Sequence, residues 1–446
     1  MKSLQISFLF LLIGFLTSAQ EKTALYDSLF STMHERNQFN GNVIVAEKGD
    51  VVYENCFGFA NRAGKTELNM NTLFNTGSMS KLFTALAVQQ LAERGEIGYS
   101  DNVNKYLTEF PYPDITIHHL LVHAGGLPVD KSLLDIVNWD YSKIATNKDV
   151  LKVLYKEKPE LKFAPGEKSR YSNLGYMVLA EVIKKASGKD FNHFLQEHIF
   201  EPAGMDRTGI YNREEIKEMK NVARGYLFYP FTGQYERAVE VPEFSFHYAI
   251  SGFEGDGNVY STIWDLFSLY QALKNHELIS KASWEKATTK HILARNMNGV
   301  NEYETSYGYG WTIAPAPEPE LVVQRGGELP GYVSNLIWEV RKDHLLIYLM
   351  NDYLSYLSYQ RMIYPAYWKI AYRNKIDIPK LLASTELSKI AVKSSLQEME
   401  EKIKEMKNEP GKYEIDINGL KFLVHKLKSL NKMEKAQLMM KSFKPE

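Results

Sequence analysis

Cysteine is almost absent. Cys56 is the single thiol in 446 residues, which excludes an intrachain disulfide framework. It lies in an apolar, strand-like run, so no thiol chemistry is expected of it. Excess charge of either sign is absent too. Fifty-three basic and 54 acidic residues leave a formal net charge of −1, and no basic tract breaks that balance. Neither nucleic acid nor an anionic membrane surface is attracted by such a chain, so no nucleic-acid partner is expected. Long apolar runs are also scarce. The run from Phe8 to Leu16 is far short of the roughly 20 residues that a spanning helix needs. Lys2 precedes it and Thr17-Ser18-Ala19 follow, the layout of a cleavable secretory signal over residues 1–19. An uncleaved anchor is the alternative reading. No cysteine follows the small residues, so lipid attachment there is not indicated. The expected mature chain starts near Gln20, is secreted or periplasmic, and has no transmembrane span.

Apolar residues make up 44% of the chain, enough for a large core or for two lobes and an appendage. "GNVIVAEKGDVVYENCFGFA" (Gly41 to Ala60) reads as two strands about a Lys48-Gly49-Asp50 turn. A second strand-rich region comes late, in "GWTIAP", "LVVQRG", "VSNLIWEV" and "LLIYLM", with Arg341-Lys342-Asp343-His344 as a hairpin turn. Between them lie helical patterns, including Ser78 to Arg94, Asn173 to Ala186 and Asp190 to Ile199. The expected fold class is α/β (α+β). One antiparallel sheet, closed by chain-distant segments and flanked by helices, carries an inserted, mostly helical lobe. A cleft between such lobes is a common place for a small-molecule site.

"FNTGSMSKLFTALAVQQLAERG" (Phe74 to Gly95) is helical by the spacing of Met79, Leu82, Phe83, Leu86, Ala87 and Leu91. It opens on Ser78 and carries Lys81 one turn later. A serine hydroxyl is a weak nucleophile until a base takes its proton. Three residues apart on a helix, Ser78 and Lys81 share a face, and burial makes a lysine easier to deprotonate. A helix start also offers free N–H groups to developing negative charge. Serine three before lysine recurs at Ser283/Lys286 and Ser429/Lys432, so the spacing alone is equally compatible with a lysine snorkelling from a half-buried helix. Two further elements follow. Tyr171-Ser172-Asn173 stands just before an amphipathic helix, although Tyr53-Glu54-Asn55 and Tyr372-Arg373-Asn374 repeat its pattern. "QRGGELPGYVSNLIWEV" (Gln324 to Val340) sets Arg325 at a strand end beside glycines that let backbone approach a ligand.

In that order, these three elements resemble the serine β-lactamase-related family. It comprises class C β-lactamases, low-molecular-weight DD-peptidases and the esterases and peptidases related to them. "ITIHHLLVHAGGLP", "IFEPAGMDRTG", "GDGNVYSTIWDL" and "YGYGWTI" resemble its other landmarks, over roughly residues 25 to 375. The resemblance implies that Ser78 is acylated and that Lys81 and Tyr171 share general-base and general-acid duty. It implies that Asn173 aligns the lysine and the substrate. The oxyanion hole would be the N–H groups of Ser78 and of Glu328, the residue after Gly327. An extended substrate would lie along Gly326-Gly327. Arg325 departs from the family's usual lysine or histidine. It keeps a charge for binding substrate but cannot relay a proton near neutral pH. With Glu328 nearby, efficient β-lactam hydrolysis is not expected. The implied activity is hydrolysis of an ester or amide, with a small-molecule or short-peptide substrate and no metal or cofactor. A binding protein on the same scaffold, with chemistry lost, is the alternative.

Other signals carry less. His119 and His123 stand four apart beside His118, but Leu120 occupies the place where a metallopeptidase helix needs glutamate. Structural histidines are therefore expected. Tyr353, Tyr356, Tyr359, Tyr364, Tyr367 and Trp368 read as a helix packed on the sheet. The aromatic stretch Tyr226 to Tyr248 reads either as a pocket-lining loop or as a packed strand pair. The hydrolase domain is expected to span 20–380 and a helical appendage 381–446. In the appendage, "LSKIAVKSSLQEMEEKIKEMKN" reads as one charged helix, and two short helices follow about Asn431. That pair resembles the opening of a tetratricopeptide-like repeat, which suits it to docking another protein.

Overall fold

The computed structural model describes residues 20–229, 234–241, 244, 246–296, 304–315, 320–352 and 360–444. The signal over residues 1–19 lies outside them. The chain forms two compact units. The first runs over Gly41–Ala223 and Pro242–Met350. The second gathers the segment ending at Asn40, Arg224–Val241 and the segment beginning at Asn351.

The first unit is built on an antiparallel sheet of eight strands: β1 (Gly41–Glu47), β2 (Asp50–Phe57), β3 (Ile292–Leu293), β4 (Ser306–Tyr307), β5 (Thr312–Ile313), β6 (Val322–Leu329), β7 (Tyr332–Glu339) and β8 (His344–Met350). Their order is β3-β4-β5-β6-β7-β8-β1-β2. The early hairpin thus joins the late strands, with Gly41 opposite Met350 and Glu47 opposite His344. The β1–β2 turn places both Lys48 (φ 56) and Gly49 (φ 93) in the left-handed region, which suits a tight hairpin. β1 is buried from Gly41 to Ala46, whereas β2 is buried only at Tyr53 and Phe57. β1 therefore reads as an apolar run because both its faces are covered.

Two helices set the functional residues. α1 (Ser80–Glu93) is buried at every position from Ser80 to Leu91, so it is a core helix and not an amphipathic one. Two of its polar side chains donate to carbonyls of other segments. Thr84 Oγ1 donates to Gly255 at 2.6 Å, and Gln90 Nε2 to His198 and Leu278 at 2.9 Å each. α2 (Asn173–Ser187) begins at Ser172, whose hydroxyl accepts from the Gly175 N–H, and stops at Gly188 in the left-handed region.

In the second unit, residues 20–35 are helical. The helix Gln360–Arg373 contains Pro365 and stacks Tyr367 on Tyr26, rings 6.0 Å apart. Tyr353, Tyr356 and Tyr359 lie outside the described residues. The described aromatics of that series pack among themselves and on the 20–35 helix, within their own unit. Tyr226–Tyr229 and Gln234–Arg237 form a strand pair. The charged stretch near residue 400 is two helices, Ala383–Ile390 and Leu396–Asn408. Ser395 starts the second one, exchanging hydrogen bonds with Glu398. That capping pair is why the periodicity does not continue as a single helix. Ile417–Ser429 and Met433–Phe443 follow, turning at Asn431 (φ 56). The four share a core that includes Leu387, Ile403, Leu420 and Met439.

Candidate active site

All the residues of the candidate site belong to the first unit. Ser78 lies in a 3-10 turn, Gly77–Met79, that runs into α1. One turn on, Lys81 is completely buried. Its Nζ donates to Ser78 Oγ at 3.0 Å and to the Asp256 carbonyl at 2.7 Å. The lysine is thus aimed by a loop far away in sequence, which also receives Thr84. This is a different environment from that of a snorkelling side chain.

Tyr171 comes from the segment entering α2. Lys81 Nζ is 5.0 Å from the centre of its ring, and Arg325 Nη2 donates to its hydroxyl at 3.3 Å. Burial alone would raise this phenol. The positive charges of Lys81 and Arg325, with hydrogen bonds from Ser78 and Lys81, outweigh burial and hold it below the ordinary phenol value. Tyr171 is therefore easier to deprotonate than an ordinary phenol, and it stands next to Ser78.

Arg325, on β6, is 2% exposed. Its Nε and Nη2 donate to the Ser78 carbonyl at 2.9 and 2.7 Å. The guanidinium is spent on the turn bearing Ser78 and on Tyr171. Gly327 on the same strand is pressed against that turn. A Cβ there would stand 2.0 Å from the Thr76 carbonyl oxygen and 2.6 Å from the Ser78 nitrogen. Only glycine lets Glu328 and its N–H come alongside Gly77 and Ser78. A Cβ built on Gly77 would be 3.1 Å from the Glu328 nitrogen. Asn173 opens α2, and its side chain bonds to Asp130.

Three neighbours were not picked out as functional from the sequence. His123 brackets Tyr171: its carbonyl accepts from Arg170 N–H at 2.9 Å and its Nδ1 from Ser172 N–H at 3.2 Å. Its ring lies 4.5 Å from that of Tyr171. Burial, then the charges of Arg325 and Lys81, keep the imidazole well below its usual value, so it is neutral and its Nδ1 can accept. Asp130 is 5% exposed and raised by burial. Asp256 is raised to about 7 by burial and by Asp130, against the pull of Lys81. One oxygen of Asp256 is buried without a hydrogen bond. His123 and Asp256 lie within the quoted landmark segments, and Asp130 two residues after one. Sequence gave no sign that they converge. His118 bonds instead to Tyr309, Nδ1 to hydroxyl at 2.8 Å, and His119 closes the capping box at Thr116.

A half-buried serine against a buried lysine at a helix entrance, a tyrosine beside two cations and a glycine strand against the nucleophile define a serine hydrolase of the penicillin-recognising type. Comparison with known proteins agrees. The chain belongs to the Beta-lactamase family, whose model matches residues 27–361. It is similar to penicillin-binding protein 4* of Bacillus subtilis (strain 168), 39% identical over 363 residues, covering 81% of this chain and 78% of that one. The teichoic acid D-alanine hydrolase of Staphylococcus aureus is 28% identical over 279 residues, covering 62% and 63%. Among solved structures, a penicillin binding protein from Bacillus halodurans superposes with a TM-score of 0.63 at 26% identity, covering 72% of this chain and 95% of that one. The protein is a serine hydrolase that acts on ester or amide bonds.

Proposed function

We propose that the protein cleaves aminoacyl esters and amides, the D-aminoacyl class above all, through an acyl group carried on Ser78. The observation that carries this is the contact of Lys81 Nζ with Ser78 Oγ beside a tyrosine whose proton is held loosely. Tyr171 takes the Ser78 proton as Oγ attacks the carbonyl carbon. Lys81 Nζ, in contact with Ser78 Oγ, stabilises the phenolate that precedes attack. The N–H groups of Ser78 and Glu328 receive the oxyanion. Tyr171 then passes the proton to the leaving alcohol or amine, and water repeats the cycle to release the acid. Side chains and the two backbone N–H groups supply these steps, so a chelator should leave the rate unchanged.

The substrate class follows from charge. Arg325 is engaged by Ser78 and Tyr171, so it has little left for a substrate carboxylate. Asp130 and Asp256 instead place two carboxyl groups around Lys81 and Asn173; burial holds both toward their neutral forms, and an acyl group bearing an ammonium would draw them into ionisation and gain a partner that a neutral acyl group lacks. A relative that removes D-alanine from teichoic acid supports the same choice. We also infer action outside the cytoplasm, supported by the apolar run and small residues of the first 19 positions. Among the described residues no helix is long and apolar enough to cross a membrane.

The test is a panel of D-alanyl, L-alanyl and N-acetyl-D-alanyl esters and amides. Free D-aminoacyl substrates should turn over at least tenfold faster than N-acetylated ones, and Ser78→Ala should be silent on all. Equal rates with and without the free amine would overturn the substrate class. Turnover by Ser78→Ala would overturn the acyl-enzyme.

A further inference from the structure

The first unit holds a groove of about 1030 Å³, none of whose walls is formed by Ser78, Lys81, Tyr171 or Arg325. One wall is the helix Asn147–Glu157, which contributes Lys148, Lys152 and Tyr155. α2 contributes Glu181, Lys184 and Lys185, and the loop around Tyr106 closes the other side. Lysines 148 and 152 are four apart and therefore line one stripe of their helix.

The charges in this groove are unevenly used. Lys184 is paired with both Glu181, at 2.9 Å, and Glu254, at 2.5 Å. Lys148, Lys152 and Lys185 are exposed, and none has an ion-pair or hydrogen-bond partner among the described residues. The rings of Tyr106 and Tyr155 are half-buried in the walls. Burial, with the charges of Glu181 and Glu109, pushes the Tyr155 phenol up to about 12. It remains a protonated donor between two carboxylates.

We propose that this groove binds a glycan strand carrying widely spaced carboxylates. Two tyrosine faces suit sugar rings, and Glu109, Glu181 and Thr108 accept from sugar hydroxyls. Three unpaired ammonium groups meet the occasional carboxylate. Glu109 and Glu181 on the same walls oppose a chain with a negative charge on every unit, such as a nucleic acid or a polyphosphate. The proposal is independent of the reaction at Ser78.

The probe is a hyaluronan hexasaccharide, which bears a carboxylate on alternate sugars only, titrated calorimetrically into the full chain, against its methyl ester and polyphosphate of equal length. The hexasaccharide should bind, and its methyl ester at least about tenfold more weakly. The triple variant Lys148→Gln/Lys152→Gln/Lys185→Gln should lose a similar factor while Ser78 still labels with a fluorophosphonate at the wild-type rate. That unchanged labelling shows the variant folded. Three results would overturn the proposal: no binding at millimolar hyaluronan hexasaccharide, equal binding by the triple variant, or tighter binding of polyphosphate than of the glycan.

Discussion

Arg325 donates two hydrogen bonds to the backbone carbonyl of Ser78, at 2.9 and 2.7 Å, and a third, at 3.3 Å, to Tyr171. A buried guanidinium therefore ties the nucleophile's turn to its base, where a lysine would offer a single point charge. Removing this cation also removes one of the charges that hold Tyr171 below its ordinary range. Because Tyr171 must be deprotonated to act as the base, the acidic limb of kcat/KM against pH should lie below the usual phenol value in the wild type and move upward in Arg325→Gln. At pH 7 that variant should lose on the order of 10- to 100-fold. Arg325→Lys should keep more activity. An unmoved limb in Arg325→Gln would separate Arg325 from the titration of Tyr171.

His123 fixes Tyr171 from both sides and has φ 58, a conformation that asparagine tolerates better than most residues. His123→Asn keeps an acceptor for the Ser172 N–H; His123→Phe keeps a ring but no acceptor. Leaving that N–H unpaired costs about 1–3 kcal/mol. His123→Phe should therefore be the less stable variant in urea and lose more kcat than KM accounts for. Equal behaviour of the two would mean that packing alone matters at this position.

Gly326 and Gly327 are adjacent but differ in what surrounds them. A Cβ at Gly326 would find its nearest neighbours at 3.4 Å, the Asn335 side chain among them, whereas one at Gly327 would run into backbone at 2.0 Å. Gly327→Ala should lose at least about 100-fold in acylation rate and about 1–3 kcal/mol of stability. Gly326→Ala should retain most activity. Stopped-flow acylation and thermal unfolding of the pair decide this, and near-wild-type kinetics in Gly327→Ala would contradict the packing.

Asp256 titrates at about 7 in the folded protein, above its ordinary value. The folded state then binds the proton more tightly than the unfolded chain does, so this group's contribution to stability falls as pH rises from about 4 to 7. Asp256→Asn removes the penalty. Its stability relative to wild type should grow between pH 4 and pH 8, by at most about 4 kcal/mol. A constant difference across that range would mean that Asp256 is ionised in the fold throughout.

Much of this was legible in the sequence, because the signals were local. The Lys48-Gly49 hairpin, the β6–β7–β8 meander and the helix after Asn173 follow from turn residues and periodicity over a few positions. Ser78 with Lys81, then Tyr171, then Arg325-Gly326-Gly327, could be ordered along the chain without knowing their distances. What stayed hidden depends on distant segments meeting. The Asp256 carbonyl reaches Lys81 across 175 positions. Nothing near Arg325 said that its guanidinium would turn inward to Ser78. The break at Ser395 was missed for another reason: charged residues at helical spacing continue through it, and only the capping exchange with Glu398 ends one helix and starts the next.

The central claim is that Ser78 is activated by Lys81 and Tyr171 together. The most direct measurement is intact-mass and peptide mapping after a timed exposure to a fluorophosphonate. One adduct should form, on Ser78. It should be absent from Ser78→Ala and form at least about 100-fold more slowly in Lys81→Ala and Tyr171→Phe. An adduct on another residue, or wild-type labelling rates in both variants, would contradict the account.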